Sequence, residues 1–167
     1  MFDDCVFGND PGGSGCLTAI TRNKSVQTWM VKKGKWHLVF FAVSSYILVH
    51  TLRCVMFEEV GGRSKETKMT KPQIFQFGLN TGVMYAIFWF NRITAINTVE
   101  PQVWQRYHKV AGRVAPLTAS DAEDYKARKE LYRQTAELRI GRPVTLQEGD
   151  SILIAIYAWE QTFGEKF

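Results

Sequence analysis

Two apolar stretches constrain this chain more than anything else in it. Trp36 to Leu52 (WHLVFFAVSSYILVHTL) holds no Asp, Glu, Lys or Arg, and neither does Ile74 to Phe90 (IFQFGLNTGVMYAIFWF). Each is 17 residues long, at the lower edge of the roughly 17–25 that a bilayer-spanning helix needs. Flanking turns lengthen both, with Arg53 and Arg92 placed to reach toward headgroups. Trp36 and Trp89 lie near segment ends, where indole suits an interface. Pro72 sits where a first helical turn tolerates it. Leu38–Val49 offers only Ser44, Ser45 and Tyr46 as polar residues, too few for the polar stripe of an ordinary surface helix. The competing expectation is two buried helices of a water-soluble domain.

The expected fold is therefore mainly α: a two-span transmembrane hairpin with a basic N-terminal arm and a small, non-autonomous helical C-terminal extension. The arm is 1–35, polar and glycine-rich and then basic. The hairpin is 36–92, with spans about 36–57 and 72–92 and a charged linker 58–71. The extension is 93–167, with helices about 101–112, 121–140 and 150–163. Mean hydropathy of −0.17 conceals this division.

Basic residues before the first span (Arg22, Lys24, Lys32, Lys33, Lys35) and after the second (Arg92, Arg106, Lys109) outweigh those of the linker. Both termini are thus expected on the cytoplasmic, matrix or stromal side. The start, MFDDCVF, suits neither a secretory signal nor an Arg-rich transit peptide, so any organelle targeting is expected to be internal.

On the second segment Gly78, Gly82 and Ala86 share a helical stripe that allows close backbone approach. Gln73, Gln76 and Asn80 fall roughly opposite, and amides are costly against acyl chains. Both faces therefore call for protein neighbours, with Gly78, Gly82, Ala86, Gln76 and Asn80 as helix-packing residues. Lys32, Lys33 and Lys35 beside Trp36 form a candidate contact for an anionic lipid such as cardiolipin.

Catalytic and cofactor signals are sparse. His37 and His50 point about 140° apart on a helix and find no histidine on the second segment, so a bis-histidine haem is not expected. Cys5, Cys16 and Cys54 lack zinc spacing. GNDPGGSG at 8–15 lacks the Lys-Ser/Thr ending of a phosphate-binding loop and reads as an extended arm. No catalytic residue, metal or cofactor is assigned. In the extension, Ser120 and Glu123 make a capping box, Asp121, Glu123 and Asp124 favour the first turn, and Gly141 and Pro143 stop the helix. Residues 150–163 read as a helix opened by Asp150 and closed by Gly164, although Ile152–Trp159 is also rich in strand-formers.

In layout the chain resembles the accessory subunits of mitochondrial inner-membrane complexes, of the respiratory chain or the membrane sector of ATP synthase. The resemblance is one of organisation and carries no motif. It implies a non-catalytic structural role in assembly, scaffolding and lipid contact, with other membrane subunits and lipids as partners, no nucleic acid, and both termini in the matrix. The alternatives are a small membrane subunit associated with quinone, haem or other redox chemistry, and a soluble basic interaction module, the last in keeping with a net charge of +5.

Overall fold

A computed structural model of the chain describes residues 2–12, 15–31, 34–59 and 70–167. The chain opens with three strands, β1 (Asp3–Asp10), β2 (Cys16–Thr21) and β3 (Val26–Met30). Helix α1 (Trp36–Ile47), strand β4 (His50–Glu58), helix α2 (Lys71–Phe90) and strand β5 (Ile96–Val99) follow. Three helices close the chain: α3 (Pro101–Tyr107), α4 (Asp121–Ile140) and α5 (Gly149–Phe163). The sheet order is β3-β2-β1-β4-β5; β2 runs antiparallel to both β1 and β3, while β4 runs parallel to β1 and β5 parallel to β4.

This α/β architecture overturns the expected helical hairpin. Among the described residues no helix is long and apolar enough to cross a membrane. The two-span topology, the mitochondrial inner-membrane location and the matrix-side termini that depended on it are withdrawn. The membrane, respiratory-chain and ATP-synthase assignments go with them. The first apolar stretch is in fact two elements. Helix α1 ends at Ile47, the chain turns at Leu48 and Val49, and the remainder is β4. A strand covered on both faces reads as an unbroken apolar run, because no position needs to be polar. Joined to the helix before it, that run imitates a span in length. The second stretch is a 20-residue helix, but Gln73, Gln76, Asn80 and Thr81 dilute it. Its buried residues Asn80, Met84, Ile87 and Phe88 face the sheet.

Alternation along the strands builds two cores. Cys5 and Phe7 of β1, Leu17 and Ala19 of β2, and Val55 and Phe57 of β4 point to the side covered by α1 and α2. Val6, Ile20, Cys54 and Met56 point the other way, onto α5 with α3 and α4 behind it. Helix α5 is consequently buried nearly all round: Ile152 to Ile156, Ala158 and Trp159 are fully covered. The N-terminal arm of the sequence reading is thus the middle of the molecule, with β1 as the central strand.

Local signals in the last third translate directly. Ser120 and Glu123 form the capping box of α4, whose bounds match the expected 121–140, and Gly141 ends it at φ 70°. Helix α5 starts one residue before the expected 150 and ends at Phe163. Helix α3 stops at Tyr107, short of the expected 112.

Candidate active site: a carboxylate cluster at the strand ends

Strand β1 ends at Asp10 and β4 at Glu58, and the two strands are neighbours and parallel, paired in register through Asn9 and Phe57. Two acidic residues therefore sit side by side at the same edge of the sheet. By strand alternation they share the face of Val6, Cys54 and Met56, which is the face covered by α5. Asp150 lies in the first turn of α5.

What brings that turn down onto β1 is Gly8. A Cβ there would stand 2.6 Å from the Cα of Ala155 and 2.7 Å from the carbonyl oxygen of Ser151, far inside van der Waals contact. The glycine lets helix and strand approach until backbone meets backbone. The start of α5 is then tied laterally: the Thr18 and Ser151 hydroxyls lie 2.7 Å apart, and Thr28 donates to Glu148 at 2.5 Å. Deeper along the helix, the Trp159 indole N–H donates to the carbonyl of Thr21 at 3.0 Å.

The loop after β1 is held as firmly. Asp10 Oδ1 accepts the Gly12 N–H at 2.9 Å. Gly15 permits the return, because a Cβ at that position would lie 2.6 Å from the Asp10 carbonyl oxygen. From the other side of the sheet, Asn80 donates to the carbonyl of Gly12 at 2.9 Å and of Pro11 at 3.4 Å, while its own oxygen accepts from Gln76 at 3.0 Å. Two amides expected to pack against other subunits are here the brace of the loop that carries Asp10.

One cation stands among the carboxylates. Lys129, on α4, places Nζ 2.5 Å from Asp150 Oδ2, and both side chains are largely buried. The other carboxylate oxygen, Asp150 Oδ1, is buried with no hydrogen-bond partner among the described residues. Burial first, and Asp10 second, push the Asp150 carboxyl up to about 6 despite Lys129. Burial likewise raises Glu58 well above the carboxylate range, helped by Asp10 and Asp150 and opposed by Lys129. Burial lowers Lys129, yet Asp150 and Asp10 outweigh it and hold the ammonium well above an ordinary lysine. One ammonium therefore does not balance this group. A cleft of about 220 Å³ opens on Asp10 and Lys129, lined further by Tyr125, Lys126, Leu146 and Gln147. Among the described residues no three His, Cys, Asp or Glu side chains already stand as a metal-gripping set.

The residues singled out from sequence lie elsewhere. Gly78, Gly82 and Ala86 are on the exposed face of α2, and a Cβ added at either glycine would meet nothing within 4 Å. Lys35 is exposed at the N-cap of α1 and Trp36 is half-buried at its first turn. Lys32 and Lys33, like most of the expected linker 58–71, lie outside the described residues. The three cysteines are buried, and burial raises the Cys5 and Cys16 thiols to about 12, so neither is a thiolate nucleophile. Asp10, Glu58, Asp150 and Lys129 were all missed. A signal was present: each acidic residue ends or opens an apolar run, in VFGND, CVMFE and DSILIAIYAW.

No family model and no curated protein matches the chain.

Proposed function

We propose that the chain is a divalent-cation-dependent phosphodiesterase acting on nucleic acid, with Asp10, Glu58 and Asp150 as the cation-holding residues. The observation that supports the reading is the crowding of acidic groups: among the described residues Asp10 raises both Glu58 and Asp150 beside the one Lys129 ammonium, and one buried oxygen of Asp150 is unpartnered. Such a set is built against its own electrostatics, and a second source of positive charge relieves it. An all-oxygen, all-carboxylate donor set suits a hard ion, Mg²⁺ or Mn²⁺, rather than zinc or copper. Bound there, such ions supply Lewis acidity toward a phosphoryl oxygen and a more acidic water.

The protein's own contributions are positional. The Gly12 N–H fixes the Asp10 carboxylate, and Asn80 and Gln76 brace the backbone behind it. Lys129 holds Asp150 through one oxygen, and the other has no partner among the described residues. The close contact at Gly8 locks the distance between the strand-borne and helix-borne carboxylates.

Two features favour a polymer over a small phosphate ester. The cleft is below the roughly 300–1,000 Å³ of sites that enclose small ligands, so substrate lies across it rather than inside it. The chain carries +5 overall, and three of its 16 acidic residues are drawn into this one cluster, which leaves the rest of the surface more basic still. That balance favours a polyanion. The reading departs from the sequence expectation of a non-catalytic protein without nucleic-acid contact. The accessory-subunit role had rested on the two spans, and nothing in the site's geometry argues for it.

The test is cleavage of end-labelled DNA and RNA, duplex, single-stranded and branched, with Mg²⁺, Mn²⁺ or chelator, beside calorimetric titration of each ion. Metal-dependent cleavage that Asp10→Asn and Glu58→Gln reduce by about 10²–10³-fold or more, with the fold intact by circular dichroism, is the expected result. No cleavage of any substrate together with no ion binding would end the proposal.

A further inference from the structure

The outer surface of α1 and α2 is unlike the rest of the molecule, and it has no part in the site above. The two helices touch each other and lie on the same face of the sheet, so their outward sides form one surface. From Trp36 to Ile47, and from Pro72 to Phe90, that surface holds no charged residue. It exposes Phe41 at 63%, Phe75 at 71%, Trp89 at 73% and Phe90 at 76%, together with Leu38 and Ile74. An aromatic side chain carries about 150–250 Å², so the exposed parts of these six residues come to roughly 800 Å². That is about what each partner brings to a stable protein–protein interface. It also exceeds the roughly 300–600 Å² of the largest apolar patch on a typical monomer.

We infer that this face joins two copies of the chain in an isologous dimer, with α2 packed antiparallel against α2 across a two-fold axis near Gly82. The spacing of α2 supports it. Phe75 and Trp89 each lie seven residues from Gly82, one on either side, and Gly78 and Ala86 lie four residues on either side. Turned about Gly82, Phe75 of one protomer meets Trp89 of its partner, and Gly78 meets Ala86. Bulky ends and a small centre are self-complementary, which is the condition a two-fold contact imposes. Gly82 has open space where a Cβ would stand, so its lack of a side chain serves nothing inside the protomer. The absence of charge gives no basis for selecting an unlike partner, and it gives anionic headgroups nothing to pair with. Residues 60–69 (VGGRSKETKM) carry four charges and little apolar area, so they do not match this face.

Sedimentation equilibrium of the full chain over a wide micromolar range tests the inference. The expected mass is twice 19.1 kDa for the wild type. Gly82→Glu places two carboxylates face to face at the axis and raises the dimer dissociation constant at least about 100-fold. Its Cβ meets no atom of the protomer within 4 Å, so far-UV dichroism stays native. Should Gly82→Glu fail to fold, Phe75→Ser decides alone and must dissociate the dimer. A wild type that stays monomeric throughout overturns the inference. So does a dimer that survives both substitutions, since the interface would then lie elsewhere, or a monomer that floats with phosphatidylcholine vesicles, since lipid would then be what covers the face.

Discussion

Replacing Asp150 by Asn distinguishes a site held under electrostatic tension from a buried ion pair that serves the fold. Asp150 ionises near 6 in the folded protein and near 3.8 when unconstrained. At about 1.4 kcal/mol per pH unit, that difference makes the ionised carboxylate unfavourable to folding by roughly 3 kcal/mol at neutral pH. The sign follows from the direction. Because the folded-state value lies above the unfolded one, the folded protein takes up the proton first as pH falls through about 6. The penalty then shrinks, and it vanishes below about 3.8, where both states are protonated. The favourable bond from Lys129 is already included in this balance, since it lowers Asp150 while burial and Asp10 raise it.

Asn has nearly the same shape and no charge, and its amide oxygen still accepts from Lys129. Lys129 keeps Asp10 as a counter-charge. Asp150→Asn is therefore expected to stabilise the protein by about 1–3 kcal/mol near pH 7.5, raising Tm by roughly 2–4 °C for each kcal/mol. The advantage fades toward pH 4. Urea unfolding followed by tryptophan fluorescence reads it, since Trp104 and Trp159 are fully buried. Taking the difference between variant and wild type at each pH cancels the titrating groups that Asp150 does not touch, leaving Asp150 and the neighbours it perturbs, Glu58, Lys129 and Tyr132. The opposite result, a loss of about 3–5 kcal/mol at neutral pH, is what breaking a structural buried ion pair produces. It would refute the idea that these carboxylates await a further cation.

Gly8→Ala drives a methyl into the backbone of Ala155 and Ser151. It should destabilise by at least about 3 kcal/mol in thermal unfolding, the upper range for overpacking, because neither element can yield alone. Asn80→Ala strips the donor from the Gly12 carbonyl. An expected loss of about 1–3 kcal/mol should come with a fall in metal-dependent cleavage that exceeds any change in ion affinity. His108 is buried and lowered to about 4, by burial first, with its Nε2 2.8 Å from the Leu153 carbonyl oxygen. The folded-state value lies below the ordinary 6.5, so wild-type stability falls by about 3 kcal/mol as pH drops from 6.5 to 4. His108→Gln should lack that slope in denaturant titrations at stepped pH.

How far the sequence foretells this molecule depends on whether a signal is local or shared between distant segments. The Ser120–Glu123 capping box, the Gly141 stop and Pro72 in the first turn of α2 need only their own neighbours, and all three stand in the structure. The run from Trp36 to Phe57 needed a decision between one long helix and a helix followed by a buried strand, and composition is the same for both. What separates them is β1. A covered parallel strand is favourable at 50–58 only because Asp3–Asp10 lies beside it, and DDCVFGND with two leading aspartates and a mid-strand glycine looks unlike a central strand. Yet both irregularities have a physical reason. Gly8 is there because α5 presses on the backbone, and the Asp10 carboxylate at the strand end accepts the Gly12 N–H that turns the following loop. The residues that disguised β1 as an extended arm are thus those that make the site. The same holds at Glu58 and Asp150, each of which reads locally as the polar boundary of an apolar element. Only the parallel pairing of β1 with β4 and the descent of α5 onto Gly8 turn three boundaries into one cluster.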